Sequence, residues 1–115
     1  MAISFLKAVG MGNVREGFRN YISDDFIHHN QYFNGSRQAL LTAMEGAHQS
    51  SPNKAVEVKH CYEDKDTVIT HSLVSKEDMD IAVVHIFRFK NEKIVELWDL
   101  GQPISKDSPN ENGLF

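Results

Sequence analysis

The stretch that decides the fold is Met79–Leu100, MDIAVVHIFRFKNEKIVELWDL. Apolar residues fall on alternate positions on both sides of Lys90–Lys93, which predicts two long strands joined by a tight turn. Val84 and Ile86 are also apolar, although they lie in the other row. Strands that are apolar in both rows are usually covered on both faces, so we expect the first strand of this hairpin to be buried on both sides.

His85 in the first strand and Asp99 in the second form the pair with the clearest chemical potential. Whether they meet depends on the register of the turn. A two-residue turn that pairs Lys90 with Lys93 would place them on opposite faces. A three-residue or bulged turn would pair Lys90 with Ile94, and this shift of one residue would place His85 directly opposite Asp99. The sequence alone leaves both registers open.

Several segments resemble one known family. The segment His85–Asp99, HIFRFKNEKIVELWD, resembles the C-terminal hairpin of the SnoaL-like polyketide cyclases, which belong to the nuclear transport factor 2-like superfamily. The segment Tyr21–Asn30, YISDDFIHHN, resembles the early motif of that family. Asn34-Gly35 and the tail Asn110–Phe115 are similar to a bacterial branch of it. The resemblance runs from about Phe18 to the C-terminus and depends on the order and spacing of these segments.

The resemblance implies an α+β fold, in which N-terminal helices pack on the concave face of a cone-shaped, curved antiparallel sheet. It also implies a chemistry: Asp99 is the acid/base and His85 assists it, in an intramolecular aldol condensation that needs no metal and no cofactor. The sequence departs from the family at two positions. Glu92 stands where the turn usually has glycine, and Leu97 stands where the family often has histidine.

A further set of residues is expected to line the pocket and bind the substrate. His28 and His29 are adjacent on a predicted strand and should point to opposite faces; the resemblance favours His29, with Asn30, as the inward pair. His71 lies in a mostly apolar strand row. His48 is expected to be an exposed residue at a helix end. The predicted substrate-binding residues are His29, Asn30, His71, Tyr21, Phe87 and Leu97.

The length of 115 residues suits one SnoaL-like domain over residues 1–115, with a polar tail over 103–115. Hydrophobic periodicity predicts the order of elements. Two short helices come first, then a strand, a third helix capped by Ser36, and finally a meander of four strands. The predicted helices and first strand are Ala2–Val9, Val14–Ile22, Asp24–Gln31 (strand) and Arg37–His48.

Composition narrows the class of protein. The net charge of −4 and the lack of a basic block argue against a nucleic-acid partner. The N-terminal apolar segment is short and interrupted by Lys7, which argues against a signal peptide or membrane span. The single cysteine, Cys61, excludes an internal disulfide and favours a reducing, cytoplasmic setting. A sheet that is apolar on both faces needs a second covering, so we expect a homodimer.

Three functions fit these residues. The first is acid/base chemistry on a small apolar carbonyl compound, either an aldol condensation that closes a ring or an isomerisation. The second is a binding module of the same fold without catalysis. The third is a metal site, which is the least favoured because no His-x-His or His-x-x-x-His spacing is present. We therefore expect no metal and no cofactor.

Overall fold

The computed structural model describes all of residues 1–115 as three helices and five strands. The chain order is two helices, one strand, a third helix and four strands, as predicted. The element bounds are α1 Ala2–Gly10, α2 Val14–Tyr21, β1 Ile22–His28, α3 Arg37–Ser50, β2 Asn53–Asp64, β3 Thr67–Lys76, β4 Asp80–Lys90 and β5 Lys93–Pro103.

The five strands form one curved open sheet in the order β1-β5-β4-β3-β2. Strands β2 to β5 form an antiparallel meander, and β1 joins the free edge of β5 in parallel. The sheet is therefore mixed at one edge, whereas the sequence predicted an antiparallel sheet throughout. A parallel pair needs a long crossover connection, and the helix and three strands between β1 and β5 supply it. The predicted α+β class is confirmed.

The β4–β5 hairpin combines features of both predicted registers. Its turn has two residues, since Lys90 pairs with Lys93 as in the first alternative. The register then shifts, because Arg88 pairs with Glu96 while Phe89 pairs with Ile94. Val95 is the extra residue of this β-bulge, which re-aims every later side chain of β5. His85 consequently pairs with Asp99. Lys90 does not pair with Ile94, as the second alternative had it, because the shift occurs inside the strand and not at the turn.

The turn itself carries backbone strain at Glu92. Asn91 and Glu92 both have positive φ, 52° and 64°, which matches the backbone twist that a two-residue hairpin requires. Asparagine tolerates this conformation, but glutamate has a Cβ that collides with its own backbone, at a cost of roughly 1–2 kcal/mol. The positive φ of Glu92 therefore makes position 92 one that favours glycine physically.

We expect Glu92→Gly to raise the free energy of unfolding by about 0.5–1 kcal/mol, because the relief of strain exceeds the entropy that glycine adds to the unfolded chain. Urea denaturation would measure the change. Lys90→Gly is the matched control, since Lys90 lies in the strand and the substitution there should destabilise the protein. Equal effects at the two positions would contradict this account of the turn.

The helices cover one face of the sheet, which we call the inner face; the opposite side is the outer face. The core between helices and sheet contains Phe5, Phe18, Leu40, Phe87, Ile94 and Leu97, each no more than 1% exposed. Ile94 and Leu97 both point into this core only because the bulge at Val95 lies between them. Simple alternation would have separated them onto opposite faces.

The ends of several elements differ from their predicted positions. Strand β1 starts at Ile22 and ends at His28, two or three residues earlier than predicted. The Ser36 cap of α3 is confirmed, since its side chain accepts a hydrogen bond from the Ala39 amide at 3.2 Å. Residues after β5 form an irregular tail that folds back onto the outer face, where the Phe115 ring lies 5.0 Å from the His71 ring.

Candidate active site

A cavity of about 200 Å³ lies between α1, α3 and the inner face of the sheet. Its walls are mainly apolar, and the principal contributors are Leu6, Val9, Met44, Val56, Val74 and Val83. For scale, an apolar cavity of roughly 150 Å³ holds benzene, and drug-sized ligands occupy roughly 300–1,000 Å³. The cavity therefore has room for a small compound of one or two rings.

His85 and Asp99 face each other in the wall of this cavity. The distance from His85 Nε2 to Asp99 Oδ1 is 3.8 Å, and the two side chains are 12% and 23% exposed. Asn30 Nδ2 donates a hydrogen bond to the other carboxylate oxygen, Asp99 Oδ2, at 3.2 Å. One oxygen of Asp99 is thus held in place by an amide, while the oxygen nearest the imidazole has no hydrogen bond of its own.

A row of polar side chains crosses the inner face through His85. Thr70 pairs with His85 on the side away from Asp99, and Cys61 pairs with Thr70 on the next strand. Thr70 Oγ1 and His85 Nδ1 are both buried without a hydrogen-bond partner. Directly paired residues have Cβ atoms about 4.5–5.5 Å apart. Thr70 is therefore the residue directly beside His85 on the neighbouring strand.

The electrostatics of His85 favour a neutral ring. Burial lowers the pKa of His85 below 6.5, and the neighbouring Asp99 carboxylate acts in the opposite direction by raising it. Because burial is the larger effect, the ring is neutral at pH 7 and has one N–H donor and one lone pair. A lowered pKa of this kind stabilises the fold above pH about 6.5, and the stabilisation is lost as the pH falls through the folded-state pKa.

The two adjacent histidines take the opposite orientations to those that the resemblance favoured. His28 is the inward residue: it is 5% exposed, and its Nε2 lies 2.7 Å from the Asn34 carbonyl oxygen. His29 lies beyond the end of β1 and turns to the outer face. There its ring stacks on Trp98 at 4.6 Å, and its Nε2 lies 2.6 Å from Glu96 Oε2. That hydrogen bond, assisted by Arg88, lowers the pKa of Glu96.

His71 also lies outside the cavity, which corrects its predicted place beside a substrate. It pairs with Val84 on the outer face, and its ring lies 5.7 Å from that of His60. The next residues on either side, Thr70 and Ser72, are the ones that point inward, and both are 0% exposed. The row of β3 side chains that contains His71 therefore lies on the outer face, where the C-terminal tail packs.

Tyr21, Phe87 and Leu97 pack in or against the core and do not line the cavity. The Phe87 ring lies under His85, with centroids 5.7 Å apart, and it also meets Phe5 edge to face at 6.0 Å. Tyr21 packs edge to face on Phe5 at 6.3 Å. Leu97 is fully buried. These three residues pack in the core beneath the residues that line the cavity. Because Leu97 does not line the cavity, a leucine in place of histidine at this position does not change the polarity of the lining.

A second group of polar residues lies in the cavity wall, and the sequence did not predict it. His48, Asn53 and Lys76 line the cavity together with Ser51. We call His48, Asn53 and Lys76 the distal polar cluster. His48 was expected to be an exposed residue at a helix end, but it is only partly exposed and its Nδ1 is buried. Nothing in the local sequence marks these residues, since they come from three different elements that meet only in the fold.

Two further structural facts bear on the predicted classes. No group of three or more His, Cys, Asp or Glu side chains converges in a way that could hold a metal ion. No helix is long and apolar enough to cross a membrane.

Comparison with solved structures defines the class of fold as nuclear transport factor 2-like. A nuclear transport factor 2-like protein of unknown function from Burkholderia xenovorans LB400 superposes with a TM-score of 0.74 at 17% identity, covering 94% of this chain and 84% of that one. A proposed polyketide cyclase from Sinorhizobium meliloti gives 0.72 at 14%, covering 85% and 92%. A protein with a ketosteroid isomerase-like fold from Catenulispora acidiphila DSM 44928 gives 0.70 at 12%, covering 85% and 82%.

The sequence profile of the SnoaL-like domain matches residues 2–97. The chain therefore belongs to the SnoaL-like family, as its motifs predicted. No functionally curated protein matches it. At these identities, the solved structures establish the fold alone.

Proposed function

We propose that the protein is a cofactor-free acid/base enzyme that acts on a small, largely apolar carbonyl compound. The observation that carries this proposal is the His85–Asp99 pair in the wall of an apolar cavity, with Asn30 anchoring the carboxylate. The reaction class is proton abstraction next to a carbonyl, followed either by isomerisation or by an aldol condensation that closes a ring.

Asp99 is the base in this proposal. Its Oδ2 is held by Asn30, so Oδ1 is the oxygen that accepts the proton from the carbon next to the substrate carbonyl. As that C–H bond breaks, its electron pair moves to the carbonyl oxygen and forms an enolate. A mainly apolar chamber favours this step because its low dielectric strengthens every electrostatic contact with the developing charge.

His85 is the donor to the enolate oxygen. With a neutral ring, a proton on Nε2 makes the nitrogen nearest Asp99 a hydrogen-bond donor and leaves Nδ1 as an acceptor. Nδ1, the acceptor nitrogen of this tautomer, is buried without a hydrogen-bond partner. A neutral histidine that donates to an oxyanion is an established arrangement in proton-transfer enzymes.

The second half of the reaction returns the proton. In an isomerisation, protonated Asp99 gives it to a different carbon of the enolate. In the aldol route, the enolate carbon attacks a second carbonyl carbon, and the oxygen of that carbonyl takes the proton from Asp99; the product is a hydroxy-ketone, and its loss of water completes a condensation. Either route regenerates the carboxylate and consumes no cofactor, which is why Asp99 and His85 suffice.

NMR titration of the six histidine rings, in the wild type and in Asp99→Asn, tests whether the pair acts as one unit. The Asp99 carboxylate raises the pKa of His85. Its removal should therefore lower that pKa further, and by more than it lowers the pKa of any other histidine. His60, on the outer face, is the internal reference. A His85 pKa that stays unchanged in the variant would separate the two residues and would remove the basis of the proposed chemistry.

We also propose that the chain is a homodimeric, cytoplasmic protein and that residues 1–115 form one domain. Support for the dimer comes from the outer face, where Leu100 is 61% exposed and lies opposite Val84. A second copy of the chain seated on this face would cover it. Sedimentation velocity over a range of concentrations would distinguish a dimer from a monomer.

A further inference from the structure

His28 is a buried polar side chain that takes no part in the chemistry of Asp99 and His85. It is the last residue of β1 and is 5% exposed. Both nitrogens of its ring have a partner: the Asn30 backbone amide donates to Nδ1 at 3.1 Å, and Nε2 lies 2.7 Å from the Asn34 carbonyl oxygen. The ring therefore joins the two ends of the loop between β1 and α3.

These two partners determine the tautomer of the His28 ring. A backbone amide can only donate a hydrogen bond, and a carbonyl oxygen can only accept one. Nδ1 therefore has the lone pair and Nε2 has the hydrogen, which describes a neutral ring with one definite tautomer. A proton on Nδ1 would face the Asn30 N–H and would break that contact. His28 thus serves as an acceptor for Asn30 only in this form.

Asn30 is held at its backbone and at its side chain. Its Oδ1 accepts the hydrogen of the Tyr32 backbone amide at 2.9 Å. This contact fixes the orientation of the side-chain amide and leaves Nδ2 as the donor. Nδ2 donates to Asp99 Oδ2 at 3.2 Å. The position of the carboxylate thus depends on Asn30, and the position of Asn30 depends on the acceptor that His28 provides.

We infer that His28 is a positioning residue: it holds Asn30, and through Asn30 it orients the Asp99 carboxylate so that Oδ1 is available to the substrate. This inference rests on the proposed function only for the role of Asp99 as the base. Position matters because a displacement of about 1 Å can lower a rate by about 10²-fold. The loop has a separate link to β5, from the His29 amide to the Leu97 carbonyl at 2.9 Å. Loss of the His28 ring should therefore displace Asn30 without releasing the loop.

Two substitutions at position 28 separate positioning from packing, with exchange of acetophenone methyl protons in deuterium oxide at saturating ketone as the rate. Leucine can neither accept from Asn30 nor donate to Asn34, so His28→Leu should lower this rate by about 10- to 100-fold. Glutamine has an acceptor and a donor, as the neutral ring does, so His28→Gln should come within about threefold of the wild type. The dissociation constant of acetophenone should change by less than about twofold in both variants, because His28 does not line the cavity.

A double-mutant cycle tests whether His28 acts through Asn30. Asn30→Leu removes the anchor of the carboxylate and should itself slow the exchange. In that background, His28→Leu should slow the exchange by less than about twofold more, because the contact that it disturbs is already lost. Losses that multiply would show that His28 does not act through Asn30 and would overturn the inference. His60→Leu is the matched control, since His60 is exposed, and it should leave the rate unchanged.

NMR of the hydrogen bonds tests the inference without turnover. In the wild type, the nitrogen chemical shifts of the His28 ring should show the hydrogen on Nε2 and the lone pair on Nδ1; a hydrogen on Nδ1 would overturn the inference. The side-chain amide signal of Asn30 should move in His28→Leu and stay in place in His28→Gln. An Asn30 signal that His28→Leu leaves unchanged would also overturn it.

These measurements separate the inference from the proposed function. If the wild type binds acetophenone but does not exchange its protons, the proposed function fails, and the ring tautomer and the Asn30 signal still decide whether His28 positions Asp99. If the wild type exchanges the protons and His28→Leu does so equally fast, the inference fails and the proposed function stands.

Discussion

Asp99→Asn should slow the exchange of acetophenone methyl protons for deuterium by about 10²- to 10⁴-fold, the range that a positioned general base contributes. Asparagine has the same shape as aspartate but cannot accept the proton. The structure supplies the geometric reason for the expected loss: Oδ1 of Asp99 is the carboxylate oxygen without a hydrogen bond, and it lies in the cavity wall. Proton NMR of the ketone in deuterium oxide would follow the exchange directly.

Two control variants show whether the loss of proton exchange is specific to Asp99. Asp78→Asn changes an exposed carboxylate in the turn before β4 and should leave the exchange rate unchanged. His85→Leu should reduce the rate less than Asp99→Asn does, because it removes a donor and leaves the base in place. If Asp99→Asn exchanges as fast as the wild type, Asp99 is not the base. If the ketone binds to the wild type but does not exchange at all, the protein is a binding module.

Phe87→Ala should lower the free energy of unfolding by about 3–5 kcal/mol, a large part of the stability of a small domain. Phe87 is fully buried and touches the rings of Phe5, Phe89 and His85. Its removal would leave a void that the strands on either side cannot close. Urea denaturation, read by far-ultraviolet circular dichroism, would measure the change.

The matched control for this prediction is Phe33→Ala. Phe33 is 45% exposed in the loop before α3, so the same chemical change there should alter stability by less than about 0.5 kcal/mol. From the sequence, Phe87 was predicted to contact a substrate. A Phe87→Ala protein with nearly normal stability but weakened ketone binding would favour that original prediction over the packing role described above.

The sequence was informative where local pattern determines structure. Alternating apolar residues predicted the β4–β5 hairpin, and the Ser36 cap predicted the start of α3. The pair His85 and Asp99 stood out because polar groups are rare in apolar strand rows. These features depend on neighbours within a few residues along the chain, so they could be read before the fold was known.

The register and the cavity lining could not be read in the same way. Val95 is an ordinary apolar strand residue, and nothing in its chemistry marks it as the bulged residue. The one available signal was that Ile94 and Leu97 are both strongly apolar although three positions apart. Alternation predicted that His28 and His29 point to opposite faces, as they do, but it could not show which of the two points inward. His48 and Asn53 reach the cavity through contacts between distant segments, which no local pattern records.

The bulge at Val95 determines how the sequences of this hairpin should be aligned between homologues. Because side chains alternate along a strand, the chemistry at position 99 depends on whether the number of residues between turn and aspartate is odd or even. A homologue that lost a single residue here would keep every motif and yet point its aspartate away from the chamber. An alignment of SnoaL-like sequences that ignores one-residue gaps in this strand would therefore be misleading. It would match an aspartate that points into the cavity with one that points away from it.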